Sequence, residues 1–163
     1  ALQRARDAGV PTAAFPRAEH VDRDARDQAM AAWLTHHDVQ LVVLAGYMAL
    51  LTPAFVRRFA GAIINVHPSL LPAFPGVRAI DQALDYGVKV FGVTVHFVDE
   101  GTDTGPVILQ RAVELDDARD PADVLERLRP LEHALLPEAV RLIARRAVRP
   151  DPLNPRRTLI QDP

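Results

Sequence analysis

The sequence predicts an α/β fold: a doubly wound, mostly parallel sheet with an antiparallel strand pair toward its C-terminal end. Three observations predict it. Val39 to Ala45 is a nearly continuous apolar run, the mark of a strand buried on both faces. A second apolar run, Ala62 to Ile64, leads into Asn65-Val66-His67, and helix signals stand before and between the two runs. Strands and helices alternating in this order form parallel sheets, whose ligands sit at the carboxyl ends of the strands. Gly46 and the Asn65–His67 segment both fall at such ends.

The first residues, through Ala8, read as the last turns of a helix with Gly9 as its left-handed closing residue. A start at a helix end without Met implies that part of the fold precedes it, or that the N-terminus is processed. Val10 to Phe15 is a weak strand candidate, and Arg17 to Arg23 a polar loop. Asp24 to His36 is an amphipathic helix with Ala25, Ala29, Ala32 and Trp33 spaced for one face. His36 and His37 point apart on a helix, which makes them a surface pair rather than metal ligands. After Gly46 comes a loop, Tyr47 to Leu51. Thr52 as N-cap and Pro53 as first helical residue then open a short helix, Ala54 to Phe59.

Gly61 introduces the strand Ile63 to His67. Alternation along it puts Asn65 and His67 on one face. Pro68, Pro72, Pro75 and Gly76 then exclude regular structure, so two hydrogen-bonding side chains stand where a strand meets a rigid loop. Taken singly, each also reads as an ordinary hydrogen-bonded loop residue. Arg78 to Tyr86 is a helix stopped by Gly87. Lys89 to Val98 and Pro106 to Val113 are strands joined by the loop Asp99 to Gly105, the expected antiparallel pair. That loop carries Asp99, Glu100 and Asp103. It lacks the spacing and terminal Glu of a calcium-binding loop and reads as a surface turn. Asp120 and Pro121 open a helix reaching about Ala147, with Pro130 and Pro137 inside it, so either one bent helix or two. Residues 1–148 are expected to form the domain, and 149–163 a Pro-rich, extended, poorly ordered tail.

Composition narrows the function classes. A chain of 163 residues suffices for one domain with a sizeable core. A net charge of −2 gives no basic footprint for nucleic acid. With 0 cysteines there is no disulfide, no thiolate metal site and no Cys nucleophile. No apolar run has the length of a membrane span, and no signal peptide is visible. A cytoplasmic enzyme or binding protein fits these limits.

Five segments carry a resemblance: Val42 to Met48, Asn65 to Pro72, Gly92 to Val98, Asp103 to Ile108, and Glu132-His133. From its first residues to about Val148 the chain resembles the folate-dependent phosphoribosylglycinamide formyltransferases. The Asn-x-His-x-Ser-x-Leu-Pro pattern of Asn65 to Pro72 is shared with methionyl-tRNA formyltransferases and formyltetrahydrofolate deformylases. Pro68, the run Val95 to Gly101 and Leu131-Glu132-His133 favour the glycinamide ribonucleotide enzymes. The resemblance implies a Rossmann-like sheet and formyl transfer from 10-formyltetrahydrofolate, as co-substrate, to the amine of glycinamide ribonucleotide in purine synthesis, without a metal. It implies small-molecule partners, no nucleic acid or membrane, and a monomer or homodimer. A formyltetrahydrofolate deformylase, a methionyl-tRNA formyltransferase relative and an inactive folate-binding piece are the alternatives.

The resemblance also implies residue roles. Asn65, His67 and Asp103 are the expected catalytic residues, with Asp103 supporting the imidazolium. The expected folate site comprises Arg23, Met48, Ala49, Leu50, Leu51, Asn65, Asp99, Glu100, Gly101, Thr102 and Asp103. Ala49 stands where relatives often have Arg, and Leu50 and Leu51 read equally as core. The expected glycinamide ribonucleotide site comprises Gly46, Pro68, Arg129, Pro130, Leu131 and Glu132, with Pro130 a departure from the usual helical residue. His96 is expected to support the site from its strand. The family pattern begins with a strand, a phosphate-binding loop and a helix, a unit of roughly forty residues that this chain does not carry.

Overall fold

The structure is a computed structural model. It describes residues 1–161, so positions 162 and 163 of the expected tail lie outside the described residues. The chain divides into two compact units, residues 1–39 with 50–58, and residues 40–49 with 59–163.

The first unit is helical: α1 (Leu2–Asp7), a 3₁₀ turn at Arg17–Glu19, α2 (Arg23–His36) and α3 (Pro53–Arg58). Helix α1 ends as expected, with Gly9 at φ +70° and the Val10 N–H donating back to the Ala5 carbonyl at 2.9 Å. Val10 to Phe15 forms no strand. The Val10 N–H is committed to that cap, and Pro11 and Pro16 have none to offer. Helix α2 starts at Arg23, because Asp22 caps it by accepting from the Ala25 N–H at 2.7 Å. The predicted alanine and tryptophan face is not the buried one. Arg26, Asp27 and Ala31 are buried while Ala32 is exposed. The cause is a polar anchor: Asp27 pairs with the Arg26 guanidinium at 2.8 Å and accepts the Thr52 N–H at 2.7 Å, tying α2 to the start of α3. A buried carboxylate must be paired, and that requirement overrides apolar periodicity.

The second unit holds the sheet. Its elements are β1 (Val42–Leu44), β2 (Ile63–His67), α4 (Ala79–Tyr86), β3 (Val90–Phe97), β4 (Val107–Glu114), α5 (Pro121–Ala144), β5 (Val148–Asp151) and β6 (Asn154–Ile160). Strand order is β1-β2-β3-β4-β6-β5. The β1/β2 and β4/β6 pairs are parallel, and the expected β3/β4 pair is antiparallel, as are β2/β3 and β5/β6. Strand β1 is shorter than its apolar run and Val43 is 39% exposed, not buried on both faces. Among the described residues β1 pairs on one side only.

Strand β3 is the middle of this unit, buried from Phe91 through His96. Val93 and Val95 pack in one core with Ile64 of β2 and with Val124, Leu128, Leu135 and Ala139 of α5. Alternation turns Thr94 and His96 to the opposite face. Helix α5 runs unbroken over 24 residues despite its two prolines. Pro130 and Pro137 are both exposed and lie one heptad apart, away from the stripe facing the core. The helix ends at Ala144 rather than near Ala147.

The expected disordered tail is instead a hairpin. Strand β5 pairs with β6, and β6 joins β4 at Val107 and Arg157, where the Thr158 hydroxyl donates to the Val107 carbonyl at 2.6 Å. Pro150 is tolerated because β5 is an edge strand, and Asp151 shapes the turn by accepting the Leu153 N–H at 2.9 Å. No helix among the described residues is long and apolar enough to cross a membrane.

Two substitutions in α5 test this account by urea denaturation. Leu128→Ala empties a fully buried position and should cost about 2–5 kcal/mol. Pro137→Ala restores a backbone donor on the exposed side and should stabilise by roughly 1–3 kcal/mol.

Candidate active site

The end of β2 and the far face of β3 meet in register. Asn65 stands opposite His96, and His67 opposite Thr94. Loop geometry brings in the third element. After β3 the chain turns back so that Asp103 lies between the two histidines. Its Oδ2 is 3.4 Å from His67 Nδ1 and its Oδ1 is 3.5 Å from His96 Nε2. Asp103 adopts the left-handed conformation at φ +53°, which Asp tolerates better than most residues. Gly105 makes the turn possible, since any side chain there would collide with the Phe97 carbonyl. Asp99 ties the loop internally, accepting from the Gly101 N–H at 3.0 Å and the Thr104 hydroxyl at 2.6 Å.

Asp103 is also held from the proline loop, where the Gly76 N–H donates to its Oδ2 at 2.7 Å. The His96 hydrogen bond, the Gly76 N–H and the charges of the histidines outweigh burial and lower its pKa from 3.8 to about 2. It is therefore an anion at neutral pH. His67 is 5% exposed, and its Nε2 donates to the Phe74 carbonyl at 2.9 Å. Both of its neighbours, carbonyl and carboxylate, are acceptors, an arrangement that accommodates a proton on each ring nitrogen. His96 is 1% exposed and donates from Nδ1 to the Phe97 carbonyl at 2.8 Å. Its Nε2 faces Asp103 Oδ1 and lies 3.3 Å from the Asn65 amide nitrogen. Asn65, His96, Asp103 and His67 thus form one connected polar cluster.

The structure brings the three expected catalytic residues together. His96 is inside the cluster, touching two of them, rather than beside it. The signal was present in the sequence: Thr94 and His96 interrupt an otherwise apolar strand at alternate positions, a polar face on a buried element. Gly46, at φ +65°, follows β1, and Leu44 of β1 is in register with Asn65, so Gly46 lies at the same sheet end as His67. Met48 and Ala49 are exposed beyond it, Met48 by 79%. Asp99, Glu100, Gly101 and Thr102 are exposed on the loop that carries Asp103. Arg23, Leu50 and Leu51 belong to the first unit. Arg23 is exposed at the start of α2, and Leu50 is 63% exposed, so it is not core. Pro68 directly follows His67 and is half-buried. Arg129 and Pro130 are exposed on α5, while Leu131 and Glu132 are half-buried. Burial raises the Glu132 pKa, against the opposing charges of His133 and Arg129. Among the described residues Glu132 makes no hydrogen bond to Asn65, His67 or Asp103.

A model of the formyl transferase family matches residues 1–140. The phosphoribosylglycinamide formyltransferase of Bacillus subtilis is 44% identical over 140 residues, covering 86% of this chain and 72% of that protein. Glycinamide ribonucleotide transformylase 1 from Symbiobacterium toebii superposes with a TM-score of 0.93 at 45% identity, covering 99% of this chain and 74% of the other. A formyltetrahydrofolate deformylase from Pseudomonas syringae pv. tomato superposes at 0.87 with 29% identity, covering 99% of this chain and 53% of the other. The chain belongs to the formyl transferase family, alongside its phosphoribosylglycinamide formyltransferases.

Proposed function

We propose that the protein transfers the formyl group of 10-formyltetrahydrofolate to the amine of N1-(5-phospho-D-ribosyl)glycinamide, a step of purine synthesis, in the cytoplasm. The observation that carries the reading is the convergence of Asn65, His67 and Asp103 at the carboxyl end of β2. The amine attacks the formyl carbon and forms a tetrahedral oxyanion. Asn65 offers an uncharged N–H and the protonated His67 a charged one, and a preorganised donor of this kind is worth roughly 3–4 kcal/mol. The contacts from Asp103 to the two histidines, at 3.4 and 3.5 Å, are longer than ordinary hydrogen bonds. A reacting oxygen entering beside them competes for His67 Nδ1 without breaking a tight pair, and such contacts commonly tighten only around substrate. Asp103, ionised at neutral pH, stabilises the imidazolium. His67 gives its Nδ1 proton to N10 as the bond between the formyl carbon and N10 breaks, and then takes up the proton leaving the amine, with no covalent enzyme intermediate.

Met48, Ala49 and the Asp99–Asp103 loop are assigned to the folate. The exposed apolar Met48 suits a flat pterin face. Gly46, Pro68, Arg129, Pro130, Leu131 and Glu132 are assigned to the ribonucleotide, with Glu132 accepting from its hydroxyls or amine. The higher identity to the transferases than to the deformylase favours transfer over hydrolysis.

Incubating the complete natural protein with both substrates should yield formylglycinamide ribonucleotide and tetrahydrofolate in equal amounts. Formate release that ignores the amine would assign the chain to the hydrolytic reaction instead. His67→Ala and Asp103→Asn should each lower kcat by roughly 10²–10⁴-fold while folate binding survives. Asp103 also links stability to pH. Its folded pKa is depressed, so its contribution is present above 3.8 and lost as pH falls toward about 2. The stability difference between the native protein and Asp103→Asn, measured by denaturant titration, should narrow across that window.

A further inference from the structure

Three residues form a row across the sheet. His67 of β2 is in register with Thr94 of β3, and Thr94 with Gln110 of β4. We propose that Gln110, two strands from His67, is a positioning residue for the reaction: with Thr94 it clamps the proline loop whose Phe74 carbonyl orients the imidazole. The inference rests on the reading of His67 as catalytic.

The hydrogen bonds carry the proposal. Gln110 Nε2 donates to the Leu71 carbonyl at 2.9 Å and to the Thr94 hydroxyl at 2.9 Å. The Thr94 hydroxyl donates to the Ser69 carbonyl at 2.7 Å and accepts from the Leu71 N–H at 3.1 Å. Each group is used to capacity. An amide nitrogen has two hydrogens, and both are given; a hydroxyl has one donor and two acceptor sites, and all three are filled. The direction of every bond is therefore forced. Thr94 is 0% exposed, Ser69 3% and Leu71 6%, so water does not readily replace a lost partner. The loop is fastened at Ser69 and Leu71. Beyond them the Ser69 hydroxyl donates to the Ala73 carbonyl at 2.5 Å, and Phe74, at φ +52°, presents its carbonyl to His67 Nε2. Among the described residues Gln110 makes no hydrogen bond to Asn65, His67 or Asp103. Its influence on them runs through the loop backbone. A Leu at this position fills the space but removes the side-chain donor to the Leu71 carbonyl and one of the two donors to the Thr94 hydroxyl, and the loop is free to settle with Phe74 displaced from the imidazole.

Gln110→Leu and Gln110→Glu, the latter closest in shape, are assayed in the complete natural protein beside His67→Ala, with thermal unfolding and folate binding as fold controls. Both Gln110 variants should lose kcat by on the order of 10- to 100-fold, the scale of a small misplacement of reacting groups, with KM for the formyl folate unchanged. Gln110→Leu combined with Thr94→Val should lose no more than the worse single variant, because both act through the same loop. A native kcat in folded Gln110 variants, beside an inactive His67→Ala, overturns the proposal alone. A fully active His67→Ala overturns the catalytic reading and the proposal with it. A kcat loss matched by an equal loss of folate binding and thermal stability assigns Gln110 to the fold and also overturns it.

Discussion

One carboxylate shared by two histidines organises the site. A half-buried anion is costly unless partners surround it, and Asp103 has three, the imidazoles of His67 and His96 and the Gly76 N–H. Each partner makes a structural demand. His67 and His96 must lie on adjacent strands with their side chains on one face. Gly76 must come from a loop that leaves β2 and returns over the same ground. Asp103 itself must reach back over β3, which requires a left-handed residue and a glycine pressed against the Phe97 carbonyl. The depressed pKa of Asp103 records that these demands are met together.

Strand β3 joins the apolar core to the polar cluster. Its Val93 and Val95 face α5 and the core, while Thr94 and His96 face the proline loop and the polar cluster of Asn65 and Asp103. Both faces are buried, but for different reasons. One excludes water by apolar packing, the other by a polar set in which each donor finds an acceptor. The strand holds the loop from one side while α5 holds the strand from the other. The position of the His67 imidazole is therefore fixed by the core rather than by the loop alone.

Local signals in the sequence were read correctly where the physics is local. Gly9 and Gly87 close helices because only a left-handed residue completes those caps. Asn65 and His67 share a face because the strand period is two. The β3/β4 pair follows from two strand-like runs joined by a short acidic loop. Where distant partners decide, the reading failed. The proline-rich C-terminal residues looked unable to pair, yet β6 docks on β4 and β5 needs only one neighbour. Helix α5 looked interrupted, but both prolines lie on its exposed side. The face of α2 was misassigned because Asp27 finds Thr52, a partner invisible to periodicity.

The sequence by itself determined the alternation of strands and helices and the two polar residues, Asn65 and His67, that stand where β2 runs into the proline loop. Those follow from side-chain period, propensity and proline stereochemistry, which act between near neighbours. Only the tertiary structure decided that Asp103 sits between His67 and His96, and that Gln110 reaches the proline loop through Thr94. Strand register and loop return set those contacts. They form when residues far apart in the chain are packed to satisfy each other's buried polar groups.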